Sequence, residues 1–160
     1  MPRLSELDPE SAEFIQNFKC FAVTETPWTP LPRALSRCTV ALITSSGLRR
    51  TSDPPFDLSD PGGDPSCRVI PADVRPAELT LSIISANWDR TGFARDLNVV
   101  FPLERLHDLA AEGVIGAVAA EHYAFMGSIF KFDPVVRESA PEVGRRLKGA
   151  GVDVALFAPV

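Results

Sequence analysis

Pro141-Glu-Val-Gly-Arg-Arg-Leu-Lys-Gly-Ala-Gly151, followed by Val152-Asp-Val-Ala-Leu-Phe-Ala158, is the stretch that decides the fold. Its first half reads as a helix, near 139–149, that closes on glycine. Its second half is apolar on both faces and reads as a buried strand over 152–158. In open α/β folds, ligands and catalytic groups gather at the carboxyl ends of parallel strands. Only Pro159 and Val160 follow this strand. Either the strand is a terminal edge, or the residue that performs the chemistry comes next.

Working outward, Cys38-Thr-Val-Ala-Leu-Ile-Thr44 is β-branched and apolar enough for a strand buried on both faces, and it runs into the polar turn Ser45-Ser46-Gly47. Leu79-Thr-Leu-Ser-Ile-Ile-Ser85 reads as a further strand. Pro102 suits the first residue of a helix near 102–112, with Leu103, Leu106, Leu109 and Ala110 on one face and Gly113 as its stop. Strands separated by helical patterns predict an α/β fold: a mainly parallel sheet holding 38–44, 79–85 and 152–158, flanked by helices, as an incomplete doubly wound domain. That domain covers residues 38–160. Residues 1–37 form a partly irregular N-terminal extension, with a short helix over Ser11–Phe18 and prolines at 27, 30 and 32. The segment from about 48 to 77 carries Pro54, Pro55, Pro61, Pro65, Pro71 and Pro76 with Gly62-Gly63, so little regular structure is expected. A loop of that length is a lid or a partner-binding arm.

The chain has 160 residues, 45% of them hydrophobic and 23% charged, with a formal net charge of -5. This is one domain's worth of soluble globular chain. The acidic balance argues against a nucleic-acid surface. The polar, acidic start lacks the apolar stretch of a secretory signal, and the apolar run Gly113 to Ala120 is too short to span a bilayer, so a cytoplasmic location is expected, with no membrane partner. Cys20, Cys38 and Cys67 are an odd, widely spaced set, and they indicate neither a disulfide framework nor a zinc site.

Three groups could carry chemistry. Thr44-Ser45-Ser46-Gly47 with Arg49 and Arg50 could cradle an anion, although the Gly-Lys-Ser/Thr of a phosphate loop is missing and a plain polar turn needs no ligand. Asn87-Trp88-Asp89-Arg90-Thr91 is the densest polar cluster, in which Asp89 and Arg90 could orient a polar substrate or Asp89 could cap the next turn. His122-Tyr123 could serve as an acid/base or hydrogen-bonding pair, or His122 could be a satisfied structural residue. His107, on the charged side of its helix, reads as solvated.

The run Ser85-Ala-Asn-Trp-Asp-Arg-Thr-Gly-Phe-Ala-Arg-Asp-Leu-Asn-Val-Val-Phe-Pro-Leu-Glu-Arg-Leu106, then Glu112-Gly-Val-Ile-Gly116 and His122-Tyr-Ala-Phe-Met-Gly127, stands behind Ala41-Leu-Ile-Thr-Ser-Ser-Gly-Leu48 and Gly62-Gly-Asp-Pro-Ser-Cys-Arg-Val-Ile-Pro71. Together these resemble the selenoprotein B component of glycine/sarcosine/betaine reductase and its D-proline reductase counterpart, over roughly residues 38–160. The resemblance implies an oxidoreductase subunit that reductively cleaves a C–N bond of a small amino acid or amine with a disulfide as acceptor. It implies a selenocysteine or cysteine, two residues and a second cysteine after a strand like 152–158. It also implies partner reductase subunits, one carrying a pyruvoyl group in the D-proline type. No catalytic residue is then expected within the chain; its position falls directly after Val160, where a UGA codon read as stop would end an open reading frame. Ser45, Ser46, Asn87 and Asp89 are expected to converge at the end of the last strand, with Arg90, His122 and Tyr123 as further substrate-binding candidates and no metal ligands. A non-catalytic small-metabolite-binding module and a purely structural subunit remain open readings.

Overall fold

The computed structural model describes residues 3–18, 29–82 and 90–160. The chain divides at Pro30 into two compact units, the second being Leu31–Val160. In the first unit, helix α1 (Pro9–Asn17) begins where Asp8 accepts the Ser11 N–H at 2.9 Å, with Pro9 in the first turn, where its missing N–H costs nothing. Phe14, Ile15 and Phe18 of this unit are exposed.

The second unit is built on a mixed sheet. In chain order, strands β1 (Thr39–Thr44), β2 (Leu48–Arg50), β3 (Cys67–Pro71) and β4 (Leu79–Leu81) are followed by helices α2 (Arg90–Arg95) and α3 (Leu103–Ala111), strands β5 (Ala117–Val118) and β6 (Glu121–Phe125), helices α4 (Phe132–Pro134) and α5 (Ala140–Gly149), joined by a π-helical turn, Val135–Ser139, and strand β7 (Val154–Ala158). β1 is central. It pairs in parallel with β7 on one side and with β5 and then β6, end to end, on the other; β3 lies antiparallel outside β6. The fold is therefore α/β with mostly parallel strands. Leu42 and Val40 of β1 join Phe101, Leu103 and Leu106 in a core on one face, where α3 packs; Ile43 joins Tyr123, Val143 and Leu147 on the other, where α5 packs.

The neighbour of β1 is broken in the middle. Thr39 lies opposite Ala117 but Ile43 lies opposite Tyr123, so four steps along β1 (39 to 43) match six along its partner (117 to 123). The two extra residues interrupt the ladder between β5 and β6, as a bulge does. The Leu42 N–H would be orphaned there, and the His122 Nδ1 accepts it at 2.9 Å. An imidazole thus stands in for the missing carbonyl.

Three expectations need correction. The strand at 79–85 does not join the main sheet: β4 (Leu79–Leu81) pairs antiparallel with β2 in a separate two-stranded ribbon, and residues 83–85 lie outside the described residues. Gly47, at φ 67, turns the chain back after β1 and sends Leu48 toward Leu81. The proline-rich segment, expected to hold little regular structure, contributes the short strands β2 and β3. Pro71 is tolerated at the end of β3, an edge strand, where a missing N–H breaks no essential ladder bond. The last strand is not well buried: Leu156 is 43% and Phe157 67% exposed. Among the described residues, β7 has a partner on one side only.

Candidate functional site

The carboxyl ends of β1, β6 and β7 come together at Ser45. Its N–H donates to the Ala158 carbonyl at 3.4 Å, extending the β1–β7 ladder by one bond. Its hydroxyl accepts the Val160 N–H at 3.0 Å and lies 3.4 Å from the Val160 carbonyl. Ser45 therefore holds the main chain just beyond the last strand. Ser46 does the opposite. It is fully buried, its N–H donates to the Thr44 hydroxyl at 3.2 Å, and that hydroxyl donates to the Val100 carbonyl at 2.9 Å. The turn is locked from both directions, since the Gly47 N–H donates to the Phe125 carbonyl and the Gly47 carbonyl accepts from the Ser82 N–H, each at 2.9 Å.

Gly127 completes this floor. A Cβ at this position would lie 2.9 Å from the Ser45 carbonyl oxygen and 3.7 Å from that of Val160. The main chain after β6 can approach the end of β1 only without a side chain. Ser128, next in line, has φ 58, an uncommon left-handed conformation for a residue with a Cβ.

The proline-rich arm is pinned beside the start of β3 and the segment after β6. Cys67 opens β3 opposite Phe125, the last residue of β6. Upstream, Phe56 is buried beneath the Arg68 guanidinium, 4.1 Å from its ring centroid, and Arg68 donates to the Pro54 and Pro55 carbonyls at 3.0 Å. The Gly62 carbonyl accepts the Phe130 N–H at 2.9 Å, and Lys131 pairs with Asp60 at 3.0 Å.

Arg49 and Arg50 are committed elsewhere. Arg49 donates to the Ser82 hydroxyl and to the Arg50 and Asp53 carbonyls; Arg50 forms a salt bridge with Asp53 at 2.8 Å. Neither is joined to the Ser45 turn. Asn87 and Asp89 lie outside the described residues, as does the side chain of Arg90, whose backbone opens α2.

His122 and Tyr123 are neighbours in sequence but face opposite sides of the sheet, as successive strand residues do. His122 is 0% exposed and meets Phe101 edge-on. Its Nδ1 accepts from Leu42, so the proton of the neutral ring is on Nε2, which is buried and has no partner among the described residues. Burial, with a smaller contribution from His107, pushes its pKa down to about 4, and the ring is neutral at neutral pH. The Tyr123 hydroxyl donates to Glu121 at 2.9 Å, and Arg146 donates to both oxygens of that carboxylate. Burial, then the Glu121 hydrogen bond, raise the phenol to about 12. The exposed His107 places Nε2 3.3 Å from the Ala72 carbonyl. Among the cysteines, Cys38 is buried, burial pushes the Cys67 thiol up, and Cys20 lies outside the described residues. Among the described residues no three His, Cys, Asp or Glu side chains stand close enough to hold a metal ion, and no helix is long and apolar enough to cross a membrane.

A separate cavity of about 100 Å³ lies between α3 and the β3–β4 connection, lined in part by Leu79, Asn98, Phe101, Glu104 and His107. None of the strand-end residues lines it. Of the residues that shape the strand ends, Gly127 carries no functional signal in the sequence by itself. Gly127 closes the His122–Gly127 motif, and only its spatial neighbours reveal why it is glycine.

The family described as glycine/sarcosine/betaine reductase selenoprotein B matches residues 10–159. The D-proline reductase subunit gamma of Acetoanaerobium sticklandii is 36% identical over 136 residues, which is 84% of this chain and 54% of that protein. The chain thus spans about half the length of the curated relative it matches. No solved structure matches it.

Proposed function

The chain belongs to the glycine/sarcosine/betaine reductase selenoprotein B family, and from that membership we propose that it forms the strand-end floor of a reductase subunit acting on a small amino acid or amine of the D-proline, glycine, betaine or sarcosine class. The observation that carries the reading is the Ser45 hydroxyl holding the main chain of Val160, where the carboxyl ends of three parallel strands meet. In the reaction a C–N bond breaks, carbon gains hydrogen and nitrogen leaves as the amine. Two electrons and two protons come from a dithiol that closes to a disulfide.

The redox-active selenocysteine or cysteine implied by the resemblance stands in such subunits after a strand like β7 and would supply the low-pKa nucleophile. The surroundings fit such a group. Gly127 lets the main chain after β6 pack against Ser45, and Ser45 fixes the main chain at Val160, from which such a group would be positioned. The chain's own residues bind and orient. Partners are other reductase subunits, including a pyruvoyl-bearing one if the enzyme is of the D-proline type, in the cytoplasm. In this reading His122 acts as a structural acceptor for the Leu42 N–H.

The test compares the 160-residue chain with a form extended through selenocysteine, each with partner subunits and a dithiol. Reductive cleavage is expected from the extended form alone, and Ser45→Ala within it should lower kcat/KM about tenfold, the worth of one positioning hydrogen bond. Robust turnover by the 160 residues alone would overturn the reading, because no described residue offers the required redox pair.

A further inference from the structure

We infer that the free edge of β7 is a docking edge, and that its occupant is a parallel strand with flanking helices from the portion of a family-length polypeptide outside the match to this chain. The inference rests on family membership and on the state of the sheet, not on the substrate reading.

Val154-Ala-Leu-Phe-Ala158 has the composition of an interior parallel strand, apolar on both faces and free of the charges or prolines that protect natural sheet edges. Yet only one side of it is paired among the described residues. The ladder to β1 uses one set of main-chain groups: Ala158, for example, turns its carbonyl to Ser45. By alternation the N–H and C=O of Ala155 and Phe157 point away from β1.

Both faces are also incompletely covered. Toward α5, Ala155 packs with Val143 and Leu147, but Phe157, two residues on, is 67% exposed. Toward α3, Val154 packs with the core while Leu156 is 43% exposed. One added strand would pair the open edge, and helices continuing each layer would cover Phe157 and Leu156. The matching relative has room for such an addition, because 54% of it accounts for this chain's match. A second copy of the chain, pairing β7 with β7 about a twofold axis, would add an antiparallel strand, whereas a strand from the unmatched portion can continue the parallel order of β1 and β7.

The test co-expresses the amino-terminally tagged chain, with a photo-crosslinking amino acid in place of Phe157, and the unmatched portion of the relative. The expected product is one crosslink, assigned by mass spectrometry to an apolar strand of that portion, with amide exchange at Ala155 and Phe157 slowed at least tenfold in the complex. Phe157→Glu should weaken co-purification at least tenfold, while Val136→Glu, at another exposed apolar position, should not. Crosslinking to a second copy, crosslinking to nothing, or co-purification indifferent to Phe157→Glu overturns the inference. Assembly without turnover would leave the docking edge standing and remove the catalytic reading.

Discussion

Leu42 and Leu156 lie side by side in the sheet, one on β1 and one on β7, yet the first is completely buried and the second is 43% exposed. The same contrast holds for the next pair in the register: Ile43 is buried and Phe157 protrudes. The strands have similar composition and the same direction, so intrinsic preference cannot separate them. What separates them is the neighbour each has on its far side. β1 has β5 and β6, and through them β3; β7 has none among the described residues. Side-chain burial in a parallel sheet is a property of position in the sheet, and a strand's sequence reports the position it suits rather than the one it holds.

The largest expected effect tests this contrast directly. Leu42→Ala should destabilise the chain by about 2–5 kcal/mol, since it opens a cavity in a closed core. Leu156→Ala should cost about 1 kcal/mol or less, because much of its surface is already in water. Equilibrium urea unfolding of the two variants measures the difference, and equal losses would mean that β7 is covered in solution.

The same pair shows what the sequence can and cannot convey. Strands at 38–44 and 152–158 and the helices near 102–112 and 139–149 are legible because each is a periodic or continuously apolar run with a clear stop, such as Gly113 or Gly151. The segment Ala117–Phe125 does not read as a strand. It is rich in alanine, a weak strand former, and its polar Glu121-His122 sits in the middle of the sheet. That polarity makes sense only once the register break is seen, where His122 takes the place of a carbonyl. Strand 79–85 misleads for a different reason. Its apolar pattern is real, but the left-handed turn at Gly47 sends its partner away from the main sheet. Ser45 and Ser46 look alike as strand-end hydroxyls, and only the pleat tells which one turns toward Val160.

The second effect concerns what holds β1 in place. The His122 ring must be neutral to accept from Leu42, and its folded pKa of about 4 lies below the ordinary value near 6.5. Between these values the unfolded chain binds the additional proton, so stability rises with pH across that window. The contribution is complete above about pH 6.5 and is lost as the pH falls toward 4, on the order of 3 kcal/mol in all. Unfolding free energies at pH 7 and pH 5 should differ more for the parent chain than for His122→Asn. A variant with the same slope would place the titration elsewhere.

The smallest expected effect sharpens the comparison where β1 and β7 end together. Gly127→Ala would bring a methyl to 2.9 Å from the carbonyl oxygen of Ser45, a residue whose N–H ties it to Ala158. Neither side can yield without disturbing the end of the ladder, so a loss of about 1–3 kcal/mol is expected. Gly144 is the control. It lies inside α5 with nothing within 4 Å of where a methyl would sit, and alanine there should stabilise by about 0.5–1 kcal/mol through helix propensity alone. Thermal unfolding of both variants gives the two signs at once. Opposite shifts mean that the close approach of Gly127 to Ser45 and Val160 exists in solution. If Gly127→Ala is as benign as Gly144→Ala, the strand ends are held less closely than Ser45 implies, and the floor on which the catalytic reading stands would be looser than that chemistry requires.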